Sequence, residues 1–371
     1  MGIKNGPKSG AVSPGLFGEC RKEVCNGDEI MIIDSEKVHP DAWRNLLKSS
    51  GNATIYHTPE WKKFLETTFR YTPRYLFAQN DSGELTGMLP LFQIKGIMGG
   101  SRLCSTPFAH DCGPLGQPEV CGELVHAALD LCSTFRLKNL EIRGNGFPGL
   151  LTEVNNFSTY ILPLSQNIPD VWKRLDKGST RWAITKATKS NVSVGSTRNS
   201  EDLKEFYELN CLTKKELGVP CHPLKFFKNL FATFGDSVSL YVAQHNTRII
   251  GGGIMLRFKD TVLYGYGGAH PGCLKVNPYN AFIWKSIEDA CNAGYTYFDF
   301  GRTSYDNTGL IQFKKKWGTV EKKLYYYYQN YSGSTALDRT SLFCKTANLG
   351  LRKMPMPLYK SVSQKLFAGI G

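Results

Sequence analysis

The feature that most constrains the fold is an order of predicted elements that occurs twice. Apolar periodicity predicts helix, hairpin, strand, helix and strand in each half of the chain. The letters repeat as well, because residues 75–79 align with 240–244 and residues 140–144 align with 298–302. Two copies of a unit that mixes helices and strands predict an α/β (α+β) fold with two tandem domains.

The repeat divides the chain into four predicted segments. Residues 1–28 are predicted to be a flexible leader, and residues 29–158 the first domain. Residues 159–335 form the second domain, which carries the candidate active site. Residues 336–371 are a basic, amphipathic tail, and such a tail either contacts anionic lipid or packs on a domain.

Composition excludes some classes of protein. With 41% hydrophobic and 12% aromatic residues, the chain has enough apolar material to form cores. A net charge of +13 favours acidic partners, namely nucleic acid, phosphorylated substrates or anionic lipid. No run approaches 18 apolar residues, and the N-terminus lacks the apolar core of a signal peptide, so we expect a cytoplasmic protein that contacts the inner membrane face at most peripherally.

The cysteines favour neither disulfides nor a metal. Eleven cysteines occur, an odd number, without any CxxC pair, which favours reduced thiols in a cytoplasm. Three His-Cys neighbours lack the paired, regularly spaced ligands of a zinc site, so we expect no metal.

Residues 294–318 concentrate the candidate chemistry. Alternating aromatic residues at 295–300 predict a buried strand that ends at Gly301 and Arg302. A polar turn then places Arg302 and Ser304 at the carboxyl end of the strand, where ligands bind in open α/β sheets and where these side chains could hold a phosphate or carboxylate. An aromatic and basic cluster follows at 313–318.

Two more groups are candidates for substrate binding. Tyr264 and Tyr266 alternate with glycines, so both rings are expected on one face of a strand, as ligand contacts or as core. Arg181 and Lys186, with Lys189, form a basic helix face opposite Trp182, which would bind phosphates or remain simply solvated. The loop around His110 is predicted to be structural.

Five runs resemble the FemAB-like branch of the GNAT acyltransferase superfamily, which includes peptidoglycan interpeptide-bridge enzymes; they are 56–61, 88–92, 181–187, 298–302 and 313–318. The resemblance covers about residues 30–365. It implies twin GNAT-like domains and transfer of an acyl or aminoacyl group to an amine of a cell-envelope or polysaccharide precursor.

The resemblance also assigns roles to residues. A Phe-Lys-x-x-aromatic-Gly motif matches Phe313, Lys314, Trp317 and Gly318. The match implies that Lys314 stabilises charge at the reacting carbonyl and that Phe313 and Trp317 contact the substrate. The alternative is that Lys314 belongs to a solvated turn. Asp299 would act as base or orient Arg302, or serve as a structural partner of an arginine.

The acyl donor is predicted from a loop whose sequence differs from the pattern of relatives that use acetyl-CoA. Relatives that use acetyl-CoA bind its pyrophosphate with a glycine-rich loop that begins a helix. The corresponding loop, which includes the predicted substrate contact Asn280, lacks those glycines. Aminoacyl-tRNA is therefore the expected donor, with no bound cofactor. Two alternatives remain: an acyl-CoA-dependent GNAT N-acetyltransferase, and a non-catalytic protein that binds nucleic acid or an anionic surface.

Overall fold

The computed structural model describes residues 21–25, 28–96, 100–144, 151–330 and 342–370. Its strands are β1 Arg21–Cys25, β2 Asp28–Asp34, β3 Thr72–Pro73, β4 Leu76–Gln79, β5 Leu85–Leu89, β6 Leu91–Lys95, β7 Ser101–Ser105, β8 Leu140–Arg143, β9 Thr152–Pro163, β10 Ser193–Thr197, β11 Val238–His245, β12 Arg248–Phe258, β13 Thr261–Ala269, β14 Tyr297–Ser304 and β15 Val320–Tyr328. Its α-helices are α1 Pro40–Ser49, α2 Pro59–Phe69, α3 Pro118–Thr134, α4 Ile168–Arg174, α5 Trp182–Lys189, α6 Ser200–Glu216, α7 Leu224–Phe234, α8 Pro278–Asn292, α9 Thr308–Lys315, α10 Leu342–Lys353 and α11 Met356–Ile370.

Within these residues the strands form two sheets. One contains four strands in the order β1-β2-β4-β5, and the other contains eleven in the order β10-β11-β12-β13-β14-β9-β15-β8-β7-β6-β3. Helices pack on the strands and create three apolar clusters that contain most of the buried side chains. The predicted mixed α/β class is confirmed.

The repeat predicted from the sequence is visible in the sheet. In the first half β7 and β8 are parallel and are connected through α3, and in the second half β13 and β14 are parallel and are connected through α8. Most other neighbouring strands are antiparallel. Each half therefore contains one helical crossover between parallel strands, as the aligned segments indicated.

One strand joins the two halves. β15, late in the chain, pairs with β8 of the first half on one side and with β9 on the other. β9 in turn pairs with β14. The predicted boundary between residues 158 and 159 falls inside β9, so the sheet is continuous across it, and the domain limits remain predictions.

Local sequence signals explain several element ends. Thr58 caps α2 by accepting a hydrogen bond from the Trp61 backbone N–H at 3.2 Å, and Pro59 is the first residue of the helix. β5 and β6 are separated by Pro90 alone, which lacks a donor N–H. β5 therefore joins the small sheet and β6 the large one.

The strand predicted at 295–300 differs in its limits. It begins at Tyr297 and continues to Ser304 rather than ending at Gly301 and Arg302. The pairing with β9 shifts register between Asp299 and Arg302, and Gly301 has a φ of 71°. A bulge thus bends the strand without ending it, which periodicity alone does not reveal.

The two ends of the chain also carry regular structure. Residues 1–20 lie outside the described residues, but Arg21–Cys25 form a strand within the predicted leader. In the tail, Tyr359 is fully buried and donates a hydrogen bond to the Val219 carbonyl at 2.7 Å. The tail thus packs on the second half, while Leu349 and Leu358 remain exposed. No helix in the described ranges is long and apolar enough to cross a bilayer.

Candidate active site

A cavity of about 300 Å³ opens where the two parallel strands of the second half separate. β13 and β14 pair only from Thr261–Tyr297 to Leu263–Asp299, although both strands continue further. The lining residues come from both halves of the chain; they are Tyr56, Phe108, Ala109, His110, Arg143, Lys214, Leu256, Leu263, Tyr264, Gly265, Tyr266, Gly301 and Arg302. At the equivalent place in the first half, a bridge between Cys112 and Arg143 closes the gap.

The bulge in β14 shapes the cavity wall. Gly301 adopts the left-handed conformation, which costs a residue with a side chain about 1 kcal/mol or more. Its backbone N–H then turns back and donates to Asp299 Oδ1 at 2.7 Å. The glycine therefore both aims the Gly301 peptide at the cavity and supplies a donor to the carboxylate.

A chain of hydrogen bonds links the cavity surface to that carboxylate. His110 Nε2 lies 3.2 Å from Asp299 Oδ2, and His110 Nδ1 lies 3.0 Å from the Tyr56 hydroxyl. Thr159 donates its hydroxyl proton to Asp299 Oδ1. Tyr56 and His110 line the cavity, whereas Asp299 lies behind them. With Nε2 protonated toward the carboxylate, Nδ1 accepts from Tyr56, and this defines one tautomer of His110.

Hydrogen bonds at one end of this chain and burial at the other set its protonation. Burial by itself would raise the pKa of Asp299, but hydrogen bonds from His110, Thr159 and the Gly301 N–H outweigh it and lower the pKa below its usual value. Burial, together with nearby groups that include Asp299, raises the pKa of Tyr56 well above its usual value. The chain therefore has a carboxylate at one end and a neutral phenol at the other.

Lys314 is buried rather than part of a solvated turn. It lies near the end of α9 with 3% of its surface exposed, and its Nζ donates to the Gly301 carbonyl at 2.6 Å. A second contact reaches the Arg302 carbonyl at 3.5 Å. Burial lowers the pKa of Lys314 to about 8, although the Asp299 carboxylate opposes the shift. The ammonium lies behind the peptide that forms the cavity wall and is absent from the lining residues.

Arg302 lies at the mouth of the cavity. Its guanidinium is stacked 4.5 Å from the centre of the Phe157 ring, and Nη1 donates to the Tyr326 hydroxyl at 3.0 Å. Ser304, two residues on, is half-buried at the end of β14, opposite Phe157 in the β9 ladder. Of these two predicted substrate contacts, the structure brings Arg302 to the cavity.

The two predicted tyrosines line the cavity from opposite faces of β13, so the expectation of one shared face is wrong. Tyr264 packs on Phe282 of α8, whereas Tyr266 packs on Phe227 of α7. The pairing of β12 with β13 shifts register between Ile254 and Met255. The extra residue on β13, between the two tyrosines, reverses the alternation of side chains.

Phe313 and Trp317 do not reach the cavity. Trp317 is fully buried and packs 5.6 Å from the ring of Phe300, with half-buried Phe313 beside it at 6.2 Å. The expectation that Trp317 touches substrate is therefore not supported by its position, because the ring is enclosed by apolar neighbours. The two rings fix α9 against β14, which in turn places Lys314.

The remaining predicted contacts lie apart from the cavity lining. Asn280 is half-buried in the first turn of α8, after Asn277, whose φ is 55°. Lys186 lies over the ring of Trp182, with Nζ 4.8 Å from the ring centre, and Trp182 is 55% exposed. The tryptophan thus lies on the same side as the basic residues rather than opposite them. Arg181 Nε is buried and has no hydrogen-bond partner among the described residues.

Sequence reasoning missed His110, Tyr56 and Arg143. His110 and Asp299 are 189 positions apart, and no periodicity or motif connects residues at such a distance. Tyr56 belongs to a run that signalled a helix start, which hid its hydroxyl. Among the described residues, no group of three or more His, Cys, Asp or Glu side chains is placed to hold a metal ion.

Comparisons with known proteins identify relatives in sequence and in fold. A profile of the acetyltransferase (GNAT) domain family matches residues 178–315. The chain is 24% identical, over 143 residues, to the UDP-N-acetylmuramoylpentapeptide-lysine N(6)-alanyltransferase of Weissella viridescens. That match covers 38% of this chain and 42% of the relative, so it spans less than half of either protein.

Solved structures share the fold over most of the chain. The crystal structure of FemX superposes with a TM-score of 0.61 at 15% identity, covering 79% of this chain and 96% of FemX. A tandem GNAT protein from the clavulanic acid biosynthesis pathway superposes with a TM-score of 0.50 at 11% identity, covering 81% of this chain and 98% of that protein. Residues 178–315 therefore match the acetyltransferase (GNAT) domain family, and most of the chain shares the fold of FemX and of a tandem GNAT protein.

Proposed function

We propose that this protein is an N-acyltransferase that transfers an aminoacyl or other acyl group to an amine of a cell-envelope or polysaccharide precursor. The observation that carries the proposal is the hydrogen-bonded chain from the cavity surface through Tyr56 and His110 to Asp299. Acyl transfer to an amine requires removal of a proton from the amine, and a buried histidine held by a carboxylate provides a base for it.

The chain of hydrogen bonds defines how the proton would move. As the amine attacks the donor carbonyl, the Tyr56 oxygen accepts the amine proton and passes its own proton to His110 Nδ1. The high pKa of Tyr56 makes a free phenolate unfavourable, so the two transfers are coupled. The Asp299 carboxylate stabilises the resulting imidazolium through Nε2.

The second half of the reaction reverses the proton path. The tetrahedral intermediate collapses, the bond from the acyl carbon to the leaving atom breaks, and the new amide remains. The leaving atom is the ribose oxygen of a tRNA or the sulfur of CoA. The proton on His110 returns through Tyr56 to that atom, so the site ends in its starting state.

Lys314 has a positioning role in this geometry. Its ammonium fixes the carbonyls of Gly301 and Arg302, which form part of the cavity wall. The resemblance assigns it the stabilisation of charge at the reacting carbonyl. A positive charge directly behind this wall is consistent with that role, because a low-dielectric setting strengthens its field.

Aminoacyl-tRNA is the donor that we favour, and the acceptor is an amine on an envelope precursor. Support comes from the name of the matched relative, which transfers alanine to a lysine amine of a UDP-N-acetylmuramoyl pentapeptide. Residues 273–280, which end the loop before α8 and form the first turn of that helix, also contain no glycine, and Pro278 is buried there. Such side chains keep a backbone from closing around a pyrophosphate.

An acyl-CoA donor is the second candidate, and the match to an acetyltransferase domain favours it. Thermal-shift titrations with charged tRNA, deacylated tRNA, acetyl-CoA and CoA separate the candidates, because a ligand of the native state raises its melting temperature. We expect a shift that depends on the aminoacyl end of the tRNA. A shift with CoA alone would favour the second candidate. Equal shifts with both tRNAs that vanish at high salt, without acyl transfer from any donor, would favour a non-catalytic nucleic-acid-binding protein.

A further inference from the structure

The charges around the cavity are one-sided. Arg143, Lys214 and Arg302 line it together with His110, and none of the described lining residues is an aspartate or glutamate. The two carboxylates near the wall, Glu141 and Asp299, are both already bound by protein donors. A ligand group in the cavity therefore contacts cationic side chains and neutral hydroxyls. These surroundings favour an anionic group over a cationic one.

Arg143 is a buried part of this wall. It is 4% exposed, its Nε donates to Glu141 at 2.8 Å, and its Nη1 donates to the Ala109 carbonyl at 2.8 Å. These bonds fix the plane of the guanidinium. Nη2 makes no bond within the described residues, so it is the nitrogen left to a ligand. The Glu141 partner compensates the cost of burying this charge.

Arg302 is held differently, without a direct ion pair to a carboxylate of the described residues. Its guanidinium is fixed by the rings of Phe157 and Tyr326 and by the Tyr326 hydroxyl. Among the described residues, no carboxylate oxygen lies within 4.0 Å of it. An arginine that is oriented in this way presents a planar set of donors, which matches the geometry of a carboxylate or phosphate.

We infer that the cavity recognises an oxyanion, a carboxylate or a phosphate, carried by the substrate close to its reacting group, with Arg302 and Arg143 as its donors. This inference rests on the proposed function for the statement that the ligand is the acyl-transfer substrate. The cavity volume of about 300 Å³ is at the lower limit for ligand sites, so it fits one charged fragment of a larger substrate. The fragment is either a peptide or amino-acid carboxylate, or the phosphate ester of a nucleotide or sugar.

Calorimetric titration with two matched pairs of amines tests the inference. Nα-acetyl-lysine is compared with Nα-acetyl-lysine amide, and glucosamine 6-phosphate with glucosamine, at equal ionic strength set by chloride. Inorganic phosphate and malonate serve as anions without an amine. We expect the anionic member of at least one pair to bind about tenfold more tightly or better, since hydrogen bonds to charged groups discriminate on this scale. The pair that discriminates identifies the source of the oxyanion.

Variants test whether Arg302 causes the difference in affinity within a pair of amines. Arg302→Gln removes the charge from a solvent-accessible side chain and should abolish the difference within the pair, whereas Arg248→Gln, an exposed arginine at the start of β12, should keep it. The NMR signals of the arginine side-chain Nε–H groups provide a second measurement, because a bound anion shifts them. Arg143→Gln is less suitable, since Glu141 would be left unpaired.

Equal binding within both pairs, or no binding of any anion beyond that of chloride, would overturn the inference. A difference that persists in Arg302→Gln would overturn it as well. The proposed function is measured separately, through acyl transfer by the wild type. Transfer without preference for the anionic amine leaves the function standing and removes the inference. Anion binding at Arg302 without acyl transfer from any donor supports the inference about the oxyanion and removes the proposed function.

Discussion

The imidazole of His110 meets the carboxylate of Asp299 at 3.2 Å, although one residue comes from the first half of the chain and the other from the second. The contact exists because a loop after β7 reaches the gap between β13 and β14. Neither half has the complete arrangement alone. Both halves are needed to form this contact, because the histidine and its carboxylate partner come from different copies of the repeat.

Asp299→Asn tests the electrostatic part of this contact. The amide has nearly the same shape but cannot stabilise an imidazolium, so we expect the rate of acyl transfer to fall about 100-fold or more. Stability should change with a defined pH dependence. Because the pKa of Asp299 is lowered in the fold, the folded chain binds fewer protons than the unfolded chain below about pH 4.

The stabilisation from Asp299 is therefore complete above the unfolded pKa and is lost as the pH falls through the folded pKa. Urea unfolding of the wild type and of Asp299→Asn between pH 3 and 7 measures it. The difference in free energy of unfolding should be constant at neutral pH and shrink in acid. A difference in free energy of unfolding that stays constant down to pH 3 would contradict the lowered pKa of Asp299.

Lys314→Met tests the cost of a buried lysine. The pKa of Lys314 is lowered to about 8, so between about pH 8 and the unfolded value the unfolded chain binds the extra proton, and stability rises with pH there. Methionine removes this dependence. We expect the variant to be as stable as the wild type or more stable at pH 7, by up to about 1–3 kcal/mol, with less acyl transfer.

The measurement is the free energy of unfolding from pH 6 to 10.5, with Lys315→Met as control. Lys315 follows Lys314 on α9 but is largely exposed, and it makes a surface ion pair with Glu321. The gain from Lys314→Met should diminish as the pH rises above 8, and the control should show no comparable trend. A gain that is independent of pH would contradict the lowered pKa.

Gly267→Ala tests the placement of Tyr264 in the cavity wall. A Cβ on Gly267 would lie 1.8 Å from the Tyr264 hydroxyl, so the ring must move. We expect a higher KM with a smaller change in kcat, because the ring lines the cavity without belonging to the proton path. The matched control is Gly195→Ala in β10, where a Cβ meets no atom within 4 Å. An unchanged KM for Gly267→Ala would remove Tyr264 from substrate binding.

Much of the fold could be predicted from the sequence, and the reasons are local. Thr58 with Pro59 marks a helix start through one hydrogen bond and one fixed φ angle, and both are readable in the letters. The repeat is readable in the sequence because each half needs the same order of elements to connect its two parallel strands through a helix. The sequence predicts the end of a strand at Gly301, whereas the structure has a bulge there, because a glycine in a bulge and a glycine in a turn give the same sequence pattern.

The site was less predictable, because its parts are joined by tertiary contacts. Lys314 could be found through a motif, but its burial behind the Gly301 peptide depends on the packing of Trp317. The sequence predicts a structural loop at His110, because nothing in the neighbouring sequence indicates a carboxylate that is 189 positions away. In a regular strand, side chains two positions apart point to the same face. The bulge between Tyr264 and Tyr266 places these two rings on opposite faces instead.

The most direct test of the central claim is the single-turnover rate of acyl transfer by Tyr56→Phe. This change removes one hydroxyl, the oxygen that touches both the cavity and His110 Nδ1. Tyr241→Phe is the control, because it also removes a bonded hydroxyl, one that donates to Asp289 and is absent from the cavity lining. With aminoacyl-tRNA as donor and an envelope precursor amine as acceptor, we predict a rate about 100-fold lower for Tyr56→Phe and a nearly unchanged rate for the control. A Tyr56→Phe rate equal to that of the wild type would show that the proton leaves by another path and would contradict the account.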